Sequence, residues 1–225
     1  MKALASQPNL VEQVSQAVLD EITAGKLAPG DRVIQEQLAQ ALGVSRQPVQ
    51  QALMLLRNQG VLQDAPGRGL IVAPLDAVHV SHMYALRSVL EGLAARCAAE
   101  CNAEQAARQG PALIEAGRRA VASGSFTKMI AADMRFHEFL HLLSDNALVA
   151  PALATHLTHT QRVMGEVLLG NEKPTNIWRE HAQILEAVCA GDGDRAEALA
   201  RRHILDASDF MLAQLQPAAA AGSGT

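Results

Sequence analysis

The stretch Gln35–Gln59, QEQLAQALGVSRQPVQQALMLLRNQ, leaves the chain little choice of local fold, because it reads as two helices with only Gly43-Val44-Ser45 between them. Leu38, Ala39 and Leu42 mark one side of the first helix. Val49, Ala52, Leu53 and Leu56 mark one side of the second, and both sets keep the three-and-four spacing of a buried stripe. Gly43 suits the left-handed conformation that ends a helix, Val44 fits the angle between the two, and Ser45 is placed to cap the next helix by accepting from its free N–H groups. Pro48 falls in the first turn, where a missing N–H costs nothing. An ordinary corner of an all-helical protein shows the same spacing, but a helix-turn-helix, whose second helix enters the DNA major groove, is the sharper reading.

The next residues support it. Gly60-Val61-Leu62-Gln63 leads to a tip at Pro66-Gly67-Arg68-Gly69, after which Leu70-Ile71-Val72 resumes an apolar run, so two short strands form a hairpin. A hairpin directly after the second helix is a wing, and Arg68 at its tip is within reach of phosphate or the minor groove. Upstream, Leu10, Val11, Val14, Val18 and Ile22 form a helical stripe that stops near Ala24-Gly25, and Leu27-Ala28-Pro29-Gly30-Asp31 is a turn. Ala73-Pro74-Leu75 is a short, stiff connection that separates a winged domain, residues 1–73, from the rest.

Gly25-Lys26-Leu27-Ala28-Pro29-Gly30, Leu38-Ala39, Leu42-Gly43-Val44-Ser45-Arg46, Pro48-Val49, Ala52-Leu53, Leu56 and Gly60 together resemble the winged helix-turn-helix regulators of the GntR superfamily, FadR-like branch. The resemblance covers roughly residues 10–73 and implies a homodimer on near-palindromic, double-stranded operator DNA. The residues placed to meet that DNA are Arg32, Ser45, Arg46, Gln47, Gln50, Arg57 and Arg68. Two positions depart from relatives: Gln50 stands where many carry a basic residue, and Glu36 where some place an arginine. Gln pairs bidentately with adenine and Arg with guanine, so Gln50 points to a different operator.

Charge adds little. Residues 1–75 hold six basic and six acidic side chains, so the net charge of −4 resides in the remainder. Arg46, Arg57 and Arg68 nevertheless fall on the second helix or the wing, while most of the acids precede them. No run approaches the roughly 18 apolar residues of a membrane span, and three cysteines, Cys97, Cys101 and Cys189, cannot all pair. The expectation is a cytoplasmic protein, with Cys97 and Cys101 packed in a core rather than holding a metal.

Aromatic residues make up only 3% of the chain against 49% apolar residues, so the core must be built from Ala, Leu and Val on close-packed helices. The fold class is mainly α. Beyond the winged domain, the periodicity predicts an all-α bundle over 76–216 with helices near 76–101, 102–123, 126–144, 147–169, 177–190 and 194–214, and a mobile tail over 217–225. Pro111 starts or kinks its segment, and Pro151 sits in the first turn of the fourth helix.

Asp133 and His137 share one face of the third bundle helix with Phe126, Ile130 and Leu140. His181 lies on the stripe of Ile177, Ile184, Leu185 and Val188, and His203 on that of Leu199, Ile204, Ala207 and Phe210. One carboxylate and three imidazoles therefore point inward, where each needs a partner. A divalent metal satisfies all four, and three nitrogens with one oxygen suit Zn²⁺, Ni²⁺ or Mn²⁺. The alternative is that neighbours satisfy each residue separately.

Asp133-Met134-Arg135-Phe136-His137, Glu180-His181, Ile184-Leu185, Ala187, Gly191-Asp192, Ala196 and His203 resemble the FCD-type effector domain of the same branch. The resemblance implies that Asp133, His137, His181 and His203 hold the metal at the floor of a small-molecule cavity. His79, His82, His141, His156 and His159 match no ligand position and read as surface or core histidines. An organic-acid effector would use open metal positions and a cation. Arg87 lies on an inward stripe between Met83 and Leu90, with Glu91 one turn on as an internal counter-ion. Asn146 follows the metal helix as an Asn does in the family, and Arg162, the third effector candidate, shares a line with His159 and Glu166 that reads as solvent-exposed.

Three functions compete: an effector-controlled transcriptional regulator, with repression the commoner mode in such families; a metal-dependent enzyme with an accessory DNA-binding domain; and a DNA-organising protein whose bundle serves only for dimerisation. The last would leave the four inward metal-type ligands without a purpose. A hydrolytic site needs a free general base beside bound water. Asp133 is the only inward carboxylate near the metal in this reading, already used as a ligand, so the regulator is preferred.

Overall fold

The computed structural model describes residues 10–170 and 176–220. Its chain divides into two compact units, Met1–Pro74 and Leu75–Thr225.

The first unit begins with α1 (Leu10–Thr23), whose Val14, Val18, Leu19 and Ile22 are buried while Leu10 stays half-exposed. Next come β1 (Arg32–Val33), α2 (Gln35–Leu42), α3 (Arg46–Asn58), β2 (Leu62–Asp64) and β3 (Leu70–Val72). Between α2 and α3, Gly43 takes φ 63° and ψ 31°, and its N–H bonds back to Ala39 and Gln40. All four stripe residues of α3 are buried, and Val44 packs against the same core. On α2 only Ala39 is buried, and Leu42, expected inside, is 38% exposed because the helix is only two turns long and ends there. Ser45 holds the N-cap position in extended conformation, but its side chain makes no capping bond; Gln35 Nε2 instead donates to the Arg46 carbonyl at 2.8 Å.

The wing is an antiparallel hairpin with Leu62 opposite Val72 and Asp64 opposite Leu70. Gly67 and Gly69, at φ 96° and 95°, turn its tip. A third strand went unforeseen: β1 pairs with β3, Arg32 opposite Ile71 and Val33 opposite Leu70. Two residues are too few to display alternation, so the pairing had no sequence signal.

The second unit is helical: α4 (Ala77–Ala122), α5 (Phe126–Leu143), α6 (Val149–Gly170), α7 (Ile177–Cys189) and α8 (Gly193–Ala220). The two helices expected on either side of residue 102 run together as α4, with a kink at Asn102 (φ −137°, ψ 32°), whose amide donates to the Leu143 carbonyl at 2.8 Å. Pro111 keeps helical backbone angles and is not the kink. Pro151 sits in the first turn of α6. The stretch 217–220, assigned to the tail, continues α8, as its alanines favour. The expected break at Asn171 and Pro174 and residues 221–225 lie outside the described residues.

Helix α4 is the spine and packs on α5, α7 and α8. Ala94, Ala95, Ala98, Ala99 and Ala106 bury almost completely along it, which lets backbones approach where aromatics are scarce. A Cβ on Gly110 would lie 2.4 Å from Leu185 Cδ1, and one on Gly117 would lie 2.0 Å from the Trp178 ring. Cys97 and Cys101 are not in this core as expected. Cys97 is half-buried and Cys101 exposed, because they sit on the outer side of α4.

Candidate functional site

Helices α5, α7 and α8 bring His137, His181 and His203 together, each at most 5% exposed. One ring nitrogen from each lies within 4.8 Å of the others. His181 Nε2 and His203 Nε2 are 3.1 Å apart, and Asp133 reaches His181 Nε2 at 3.5 Å and His137 Nε2 at 3.9 Å. The three histidines thus form the cluster, with the Asp133 carboxylate beside it rather than inside it. Nitrogens that share a tetrahedral zinc at about 2.0–2.1 Å lie about 3.4 Å from each other, so the histidine spacing fits an ion.

The outer ring atoms have carboxylate partners. His203 Nδ1 donates to Glu180 Oε2 at 2.7 Å, and His137 Nδ1 to Glu91 Oε2 at 3.1 Å. That leaves Nε2 of both rings for the cluster, the arrangement in which a carboxylate orients a metal-binding imidazole. Burial, followed by the charges of His203 and His137, holds His181 well below the usual imidazole range, so it stays neutral and able to ligate. Burial would lower His137 too, but the charge and hydrogen bond of Glu91 outweigh it and leave this ring basic. Glu91 would rise on burial, but His137, His141 and Arg87 draw it well below the carboxylate range.

A cavity of about 20 Å³ lies against this cluster, lined by residues that include Tyr84, Arg87, Asp133, His137, Thr160 and His203. That volume holds a water molecule, not a metabolite. Met164 and Met211 also line it, and methionine is the side chain best able to make room. Arg87, 2% exposed, donates to Glu91 Oε1 and Thr160 Oγ1, each at 2.9 Å, and its buried Nε has no hydrogen-bond partner among the described residues. An anion entering the cavity would meet this cation.

In the first unit, Arg46, Gln50 and Arg57 fall within about 40° of one another around α3, at 3.6 residues per turn. These three, Gln47 beside them, Ser45 at the helix start and Arg68 at the wing tip are exposed. Arg32 Nη1 donates to the Arg68 carbonyl at 2.9 Å, which ties β1 to the tip. Two of the arginines are engaged: Arg46 pairs with Glu36, and Arg57 with Asp64 at 2.6 Å. Most of the acids precede these arginines in the chain, but folding brings Glu36 of α2 and Asp64 of β2 beside α3.

A family profile for bacterial regulatory proteins of the gntR family matches residues 10–72, and one for the FCD domain matches residues 82–206. The chain belongs to the GntR family, in its FadR-like branch. The chain is similar to the HTH-type transcriptional regulator YdhC of Bacillus subtilis, at 29% identity across 80% of this chain and 80% of that one. The HTH-type transcriptional repressor RspR of Escherichia coli is 25% identical across 88% of this chain and 87% of its own. The structure of E. coli McbR/YncC shares the fold, with a TM-score of 0.82 at 20% identity, covering 92% of this chain and 99% of that one. YdhC and RspR are named as transcriptional regulators rather than enzymes, and this GntR chain is likewise a transcriptional regulator.

Two effector candidates are not at the cavity. Asn146 Oδ1 accepts from the Leu148 N–H at 3.1 Å, a role at the start of α6, and neither it nor Arg162 lines the space. Arg162 is 2% exposed, not solvated, because α6 is buried around most of its circumference, and burial lowers its pKa against the opposing pull of Glu166. Glu91 is a second inward carboxylate beside the cluster, which corrects the reading that Asp133 was alone there. Only its pairing with Arg87, one turn away, was visible in the sequence. His141, which donates to Glu91 from 2.8 Å, is a core histidine.

Proposed function

We propose that this regulator is a cytoplasmic repressor that binds near-palindromic double-stranded DNA as a homodimer and responds to an organic-acid effector at a metal centre. In this reading residues 1–73 hold DNA, with α3 in the major groove and Arg32, Ser45, Arg46, Gln47, Gln50, Arg57 and Arg68 at the contact. Residues 76–216 hold the metal, the effector and the dimer contact. His137, His181 and His203, with Asp133, would keep Zn²⁺, Ni²⁺ or Mn²⁺ at the floor of the cavity, where the ion supplies a Lewis-acidic anchor for a carboxylate. Arg87 would meet the second charge. Repression is supported by the name of the relative RspR, and dimerisation by an exposed apolar row on α4, Val78, Leu86, Val89 and Leu93.

The observation that carries the effector reading is the convergence of three buried imidazoles beside a buried arginine with an unanswered N–H. Elemental analysis of untagged protein purified without chelator tests it, with about one divalent ion per chain expected. If the protein holds none, and Zn²⁺, Ni²⁺ and Mn²⁺ all leave its melting unchanged, the four residues are a buried polar cluster and the effector is held some other way. Selection from random DNA tests the operator reading, which fails if no preferred sequence emerges.

A further inference from the structure

Glu91 and Arg87 are one turn apart on α4, His137 and His141 one turn apart on α5, and the four side chains close into a single buried network. Glu91, 2% exposed, accepts from Arg87 at 2.9 Å through Oε1, and from His137 Nδ1 at 3.1 Å and His141 Nε2 at 2.8 Å through Oε2. We propose that Glu91 is the positioning residue of the metal centre: it holds the His137 ring with Nε2 turned toward His181 and His203 and also carries the Arg87 guanidinium, so that the metal floor and the cavity's cation rest on one carboxylate. The proposal rests on the metal reading above.

A carboxylate that receives a guanidinium is ionised and only accepts, so both ring nitrogens facing it carry hydrogen. The neutral His137 ring is thereby fixed as the Nδ1–H tautomer, with its Nε2 lone pair bare, as a metal ligand requires. The other oriented imidazole is less constrained, since the Glu180 side chain that holds His203 is 37% exposed and water can take its place. Water has no such access to Glu91. A carboxylate that served only to balance Arg87 would need one hydrogen-bonding direction; this one uses both oxygens and chooses a tautomer.

The test compares the untagged full chain with Glu91→Gln and with Arg87→Met combined with Glu91→Leu. The double variant removes both members of the pair, so it leaves no unmatched buried charge if the single variant does not fold. Zn²⁺ affinity is read by competition with a chromophoric chelator, the ligand field by the visible spectrum of bound Co²⁺, and the His137 tautomer by ring ¹⁵N resonances of the metal-free protein, assigned through His137→Gln. Wild type should show His137 protonated at Nδ1. Variants with wild-type helicity should bind Zn²⁺ about 10–100-fold more weakly, with a changed Co²⁺ spectrum. A folded variant with wild-type affinity and spectrum, or a wild-type His137 protonated at Nε2, overturns the proposal. If wild type binds no Zn²⁺, the metal reading falls by itself, and the His137 tautomer, Nδ1–H in wild type and lost in the double variant, still decides the role of Glu91.

Discussion

Glu36 and Asp64 hold two arginines of the proposed DNA-binding face before any phosphate is present. Such exposed pairs contribute at most about 1 kcal/mol to folding, so their effect should be felt in binding rather than in stability. Glu36→Gln frees Arg46 and removes a negative charge from the surface that approaches the phosphates. DNA should bind more tightly, with the slope of log affinity against log salt steeper by about 1, and melting unchanged within about 0.5 kcal/mol. Fluorescence anisotropy across a salt series reads both, and an unaltered slope means that Arg46 does not reach phosphate. Tyr84, the only tyrosine, offers a test of the buried centre. Burial pushes its phenol up to about 12, against the lowering charge of Arg87 and with a further rise from Asp133. Its folded pKa lies above the unfolded value of about 10, so its contribution to stability is complete below pH 10 and is lost as pH rises toward 12. Phenolate absorbance should therefore appear together with loss of helicity. Absorbance that rises near pH 10 in fully helical protein would place Tyr84 in solvent.

The contact of α4 with α7 depends on what α4 lacks. Gly117 lets the Trp178 ring lie where a side chain would be, and the ring packs edge-on to His181 with centroids 4.8 Å apart. Gly117→Ala should destabilise by about 1–3 kcal/mol through overpacking, read by denaturant titration. Trp178 is the only tryptophan, so its fluorescence should shift in the folded variant. Wild-type stability and emission together would mean that the helices part freely there. Helices such as α5, α7 and α8 were legible because their apolar residues keep the helical period, and the same period carried His137, His181 and His203 to the inside. Short or enclosed elements were not. Strand β1 has two residues and no pattern to read, Leu42 is exposed because its helix ends, and α6 buries even the line of Arg162 because other elements surround it. The Glu91 network joins residues 46 and 50 positions apart in the chain, so no local spacing encodes it, whereas the Arg87–Glu91 pair at one helical turn could be read directly.

At the scale of the whole molecule, the proposed homodimer needs a two-fold contact between copies, since a near-palindromic site is read by a protein with matching two-fold symmetry. Single exposed apolar side chains need no explanation, but Leu86, Val89 and Leu93 follow one another at helical spacing on α4, with Val78 two turns earlier, at 47%, 48%, 37% and 62% exposure. Such a row is self-complementary when two α4 helices cross, as an isologous interface requires. Val89→Glu combined with Leu93→Glu would set like charges against each other at that crossing and leave the buried face of α4 untouched. Sedimentation should find a dimer for wild type and a single chain for the variant, with helicity and bound metal retained. Specific DNA affinity should fall by at least about 10²-fold toward the non-specific level, because one recognition helix then reads one half-site alone. A variant that still sediments as a dimer moves the interface to another face. A wild-type chain that binds its operator specifically as one protomer removes the dimer from the mechanism.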